Sequence, residues 1–117
     1  MGAGGDNIVV RLPWPPACLT PNAKRRTHWT KYRKPAADYR SVCHWLTHAQ
    51  KPKGTLLKVT FHPPDRRHRD DDGMIGAFKH GRDGIADALG CDDHRFRPSY
   101  HFGEPVAGGC VLAEIGS

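Results

Sequence analysis

The chain has 117 residues, a formal net charge of +6 and a pI near 9.4, with thirteen glycines and ten prolines. That length predicts one domain over residues 1–117 with a thin core, which favours association into a homo-oligomer. The mean hydropathy is -0.64, and no stretch approaches the roughly 20 apolar residues of a membrane-spanning helix.

Met1–Asp6 carries no positive region followed by an apolar run, so no signal peptide is read. The expected location is the cytoplasm, with residues 1–6 flexible. Ile8 to Leu12 is a short β-branched run and reads as a strand, ended by Pro13, Pro15 and Pro16. Cys18 to Trp29, with the basic run Lys24-Arg25-Arg26, reads as a loop. Pro35 to Gln50 reads as a helix with proline in its first turn and an apolar stripe of Ala37, Tyr39, Val42, Cys43, Leu46 and Ala49. Leu56 to Phe61 reads as a second strand, stopped by Pro63-Pro64.

Asp65 to Asp72 is a charged connection. Asp72 to Leu89 then has helical apolar spacing through Met74, Ile75, Phe78, Ile85 and Leu89. Gly73, Gly76, Gly81 and Gly84 weaken that helix and allow it to kink or to divide in two. Gly90 suits the position just past its end. Two more strands are read near Phe96 to Phe102 and Val111 to Ile115. The expected fold class is α+β, a small mixed sheet with two main helices packed on it.

The charge is unevenly placed. Arg11 to Lys58 holds eleven Lys or Arg and one acid, Asp38, whereas Asp65 to Asp93 holds eight aspartates. A basic chain favours polyanionic partners through counterion release. A dense carboxylate segment within it invites a hard cation, and Mg²⁺ needs only two or three oxygen ligands because it keeps several waters. Asp70 and Asp72 share a side in an extended connection. The next helix can fold Asp92-Asp93 back toward them. The same aspartates also serve as helix caps, with Asp72 the candidate cap for a helix starting at Gly73.

Arg66, Arg67 and Arg69 either grip phosphates or balance the acids. Lys79, seven residues after Asp72, shares a helical face with it and either stabilises developing phosphorane charge or points to solvent. Cys18, Cys43, Cys91 and Cys110 form no C-x-x-C pair and are expected as free thiols. His44 and His48 stand at i, i+4 and could share one face as metal ligands, or lie partly exposed.

Leu12-Pro13-Trp14-Pro15-Pro16, Thr20-Pro21-Asn22 followed by His28-Trp29, the run Pro64 to Asp72, and Ala86-Asp87-Ala88-Leu89 followed by Asp92-Asp93 occur in one order. Together they resemble the RusA family of Holliday-junction resolvases, of phage and prophage type, over roughly Leu12 to Ile115. The resemblance implies a RusA-like homodimer in a bacterial cell that binds four-way DNA junctions and nicks them in pairs with Mg²⁺, or Mn²⁺, in recombination and repair. It carries metal-binding and catalytic roles to Asp70, Asp72 and Asp93, with Asp92 as a further metal ligand. The DNA-binding candidates are Lys24, Arg25, Arg26, Arg66, Arg67 and Arg69. Two departures stand out: Gly73 replaces the usual Asn, and Gly76 replaces a lysine found in many members, so Lys79 is its substitute. A branched-DNA nuclease acting on forks or flaps, and a non-catalytic DNA-binding protein, remain the rival readings.

Overall fold

The computed structural model describes residues 7–91 and 96–116. Strand β1, Ile8–Pro13, alternates as its sequence requires: Val10 and Leu12 are buried, Val9 and Arg11 exposed. Its end is fixed from a distant helix, because the Tyr39 hydroxyl donates to the Pro13 carbonyl at 2.7 Å. Burial pushes the Tyr39 phenol up, so it remains a donor.

The segment expected as a loop is partly helical. A 3₁₀ turn at Ala17–Leu19 buries Leu19, and helix α1 spans Pro21–Arg26. Thr20 caps α1, its side chain accepting from the Ala23 N–H at 3.3 Å, and Pro21 occupies the first turn where no N–H is missed. A second 3₁₀ turn covers Trp29–Lys31, with His28 Nδ1 accepting from the Thr30 N–H.

Helix α2, Arg33–Gln50, buries Ala36, Tyr39, Cys43 and Thr47. This face differs from the expected stripe: Tyr39 and Cys43 point inward, but Ala37, Val42, Leu46 and Ala49 are exposed. Packing against β1 and the helix Lys79–Leu89 sets the rotation of α2, and four inward residues at helical spacing satisfy it. Burial pushes the Cys43 thiol up to about 12, and all four cysteines are free. Thr47 Oγ1 is buried with no hydrogen-bond partner among the described residues.

Strand β2 spans Leu56–His62. The helix read over Asp72 to Leu89 divides in two, as its glycines allow: α3, Asp71–Ala77, and α4, Lys79–Leu89, separated at Phe78. Phe78 is wholly buried, with edge-on ring contacts to Tyr39 and Phe61. Gly90 adopts φ 67 after α4. Its N–H bonds the Asp87 carbonyl and the Cys91 N–H bonds Ala86, a Schellman ending. Strands β3, Arg97–Phe102, and β4, Cys110–Gly116, complete the α+β fold.

The four strands form one mixed sheet in the order β1-β4-β2-β3. β4 runs antiparallel to β1 and β2, and β2 runs parallel to β3. One sheet face buries Val10, Leu12, Leu57, Val59, Phe61, Val111, Ala113 and Ile115 in the core that the helices cover. On the other, Val9 and Leu56 are about half exposed, at 52% and 51%. No described helix is long and apolar enough to cross a membrane.

Candidate carboxylate and phosphate site

The connection from β2 to α3 is organised by Asp65. Its Oδ1 accepts from the Arg67 N–H at 2.9 Å and from Arg69 Nη1 at 2.9 Å. The Arg69 bond, then the Arg67 N–H, hold the Asp65 carboxyl below the usual carboxylate range. Arg69 also donates to the Arg67 carbonyl, and its guanidinium stands 5.8 Å from the Trp14 ring centroid. With its side chain only 16% exposed, Arg69 shapes this loop. Arg66 reaches Glu104 at 3.4 Å on the open surface. Arg67 instead lines a cleft of about 660 Å³ together with Arg26, Asp70, Trp14 and Met74.

Asp70 precedes α3 with extended backbone and does not cap it with its side chain. The helix begins at Asp71, so Asp72 is in the first turn and is not its cap. The alternation expected to align Asp70 with Asp72 holds only in extended backbone and does not reach Asp72. Asp70, Gly73, Met74 and Ala77 form the cleft side of this segment. Asp72 precedes Gly76 by one turn, on the side of α3 that meets α1. Asp70, Asp71 and Asp72 are exposed, and no ion pair engages them among the described residues.

Asp92 and Asp93 lie outside the described residues, as does the segment 1–6. Among the described residues no group of three or more His, Cys, Asp and Glu side chains converges on one point. Asp70 and Asp72 each offer exposed carboxylate oxygens, the donor type hard cations prefer, but from different sides of this segment. His44 and His48 do share a face of α2, with rings stacked at 6.0 Å, and no third ligating group joins them among the described residues.

The continuous helix expected to align Asp72 with Lys79 is interrupted at Phe78, and Lys79 instead stands 3.8 Å from Asp83. Gly76 is held to glycine by packing. A Cβ at Gly76 would meet Pro21 Cγ at 2.6 Å, so α1 occupies the space a side chain would need. Asn22 and Arg26 of α1 line the cleft, and Asn22 accepts from Arg25. Lys24 faces away toward α4, where its Nζ lies 2.8 Å from His80 Nε2. His80 was not among the residues read from sequence. A lone histidine carries no local signal, and its partner is 56 positions away.

No family model matches the chain. A protein of Xylella fastidiosa strain Temecula1, described only as uncharacterized, is 44% identical over 95 residues, which cover 74% of this chain and 61% of that protein. The chain thus spans about six-tenths of that relative's length.

Proposed function

We propose that the protein is a Mg²⁺-dependent, structure-specific DNA endonuclease of the RusA type, acting as a homodimer on four-way junctions. The observation that carries this reading is that Asp70 lines the same cleft as Arg26 and Arg67. A carboxylate that shares a cleft with two arginines suits a phosphodiester held over a cation site. The ordered motifs from Leu12 to Asp93 support the same reading, as does the net charge of +6.

In this reading Arg26 and Arg67 hold phosphates flanking the cut, and Arg69 keeps the loop in shape through Asp65. Asp70 and Asp72, with Asp93 and Asp92, would hold Mg²⁺, which when bound supplies charge neutralisation and a more acidic attacking water. Lys79 provides further positive charge for the scissile phosphate. We read the setting as the bacterial cytoplasm, with a phage or prophage origin.

The test is incubation of purified protein with labelled four-way junction, fork, flap and linear duplex, with and without Mg²⁺. Paired nicks confined to the junction and dependent on the cation are expected. Light scattering is expected to give twice the 13.0 kDa chain mass. Tight binding with no nicking of any substrate would favour the non-catalytic DNA-binding reading. Cutting of forks and flaps as readily as junctions would favour the broader branch nuclease.

A further inference from the structure

Helix α1 presents two different sides. Asn22 and Arg26 face the Asp70 cleft, while Lys24 faces the start of α4. There the ammonium of Lys24 lies 2.8 Å from His80 Nε2 and 5.4 Å from the Tyr32 ring centroid. An ammonium has donors only, so Nε2 accepts and the half-buried imidazole is neutral, with its proton on Nδ1.

The charges around this pair do not balance. Lys79 and Arg40 add positive charge from α4 and α2, while Asp83 and Asp87 supply the acids. Asp87 is committed to Arg40, with hydrogen bonds of 2.7 and 2.9 Å. Asp83 stands 3.8 Å from Lys79 and also pulls on His80; the Cys18 thiol and the Tyr32 phenol are further titratable neighbours of Lys24. Burial, then Lys79, hold Lys24 below the usual lysine range. Burial, then Lys24, hold His80 below the usual histidine range, against the pull of Asp83.

We propose that Lys24 and His80 form a second phosphate-binding site, at the junction of α1 and α4, that holds a backbone phosphate of DNA on the side of α1 away from the Asp70 cleft. The proposal rests on the DNA-binding component of the proposed function and does not require cleavage. An arriving phosphate draws the Lys24 N–H donors away from His80. Nε2 then takes one proton from solvent and becomes a donor to the same phosphate, while Nδ1 keeps its own. No other bond is made or broken.

This makes DNA affinity depend on pH with a definite sign. Binding raises the proton affinity of His80, so the gain is complete below the free-state pKa and is lost as pH rises through the bound-state value. The experiment uses the whole chain without Mg²⁺, which prevents cutting. His80 is titrated by NMR over about pH 5 to 8, the range in which histidine changes charge. It is measured free, with inorganic phosphate, and with a four-way junction, and binding is followed by anisotropy at constant ionic strength.

Junction DNA is expected to raise the His80 pKa, and affinity to climb as pH falls, by at most about tenfold per unit for one proton. His80→Gln should remain folded and lose that slope. Lys24→Gln should raise the free-state His80 pKa and weaken binding. A His80 titration unmoved by junction, or a pH slope intact in His80→Gln, overturns the proposal. A shift with inorganic phosphate but none with DNA also overturns it, by assigning the site to a small phosphate. Nicking assays report separately on the endonuclease reading, which can fail while this proton linkage stands.

Discussion

Gly76 of α3 lies so close to Pro21 of α1 that a Cβ added to it would come within 2.6 Å of the proline Cγ. The Pro21 ring rests against the bare backbone of α3 at Gly76, and α1 is thereby placed beside both the Asp70 cleft and His80. Gly84 makes a similar approach to the Arg40 carbonyl of α2, where the obstructing atom belongs to another helix's main chain. Gly84→Ala is expected to lose about 1–3 kcal/mol through overpacking, despite a helix-propensity gain of about 1 kcal/mol. Gly76→Ala should lose less, because a short helix moves more easily than α2. Chemical denaturation of both variants measures this, and equal or increased stability for Gly84→Ala would contradict the close approach.

Asp70→Asn is expected to abolish Mg²⁺-dependent nicking while leaving junction binding equal or tighter, since the amide keeps the shape and removes a charge facing phosphate. Single-turnover cleavage beside anisotropy separates the two effects. Parental nicking by the folded variant would remove Asp70 from the site.

Lys79→Ala is expected to slow single-turnover cleavage more than it weakens binding, one well-placed donor being worth about 10²–10³ in rate. Lys79→Arg should restore only a fraction of that rate, because the guanidinium differs in reach and shape. If Lys79→Ala cuts at the parental rate, the lysine serves only its neighbour Asp83 and the aspartate assignments stand without it.

The Arg40–Asp87 pair links α2 to α4, and the Arg40 hydrogen bond holds the Asp87 carboxyl below its ordinary range. Its contribution to stability is therefore present above the unfolded carboxylate pKa and lost as pH falls through the lower folded value. With side chains 48% and 41% exposed, solvent screening keeps the pair within about 1 kcal/mol. Asp87→Asn should cost that much at neutral pH and nothing in strong acid. Urea midpoints of both proteins across the acid range test it; a pH-independent difference would point to packing instead.

Thr47 places a hydroxyl in the core without a partner among the described residues. Thr47→Val keeps the branched shape and removes that oxygen, whose unmet hydrogen bond costs about 1–3 kcal/mol. The variant should melt higher than the parent by differential scanning fluorimetry. A lower melting point would mean that the hydroxyl has found water.

Strands and the long helix were legible because their signals are local. Alternation in Ile8–Pro13 and Leu56–His62, and the prolines after each, define their extents with little help from the rest of the chain. Helix α1 was equally local but missed: Thr20 before Pro21 is a cap followed by a first-turn proline, and the basic run after it drew attention to charge alone. The burial of Phe78 and the glycine contacts were not legible, since α1 and α2 create them from distant positions. The same holds for the site. The aspartate run makes Asp70 a candidate in the sequence itself, whereas the meeting of Lys24 with His80 depends on how α1 crosses toward α4.

Strand β4 lies between β1 and β2, with Ile115 opposite both Ile8 and Leu57. During synthesis, therefore, the first two strands leave the ribosome with their shared neighbour still unmade. The edges that β4 will cover stay open until then, and unpaired edges are where chains join one another. Such distant pairing also slows closure, since the loop entropy is paid before the contacts form. Newly made chains thus pass through an interval in which β1 has no neighbour in the final sheet, and crowding or a shortened C-terminal end would turn that interval into aggregation.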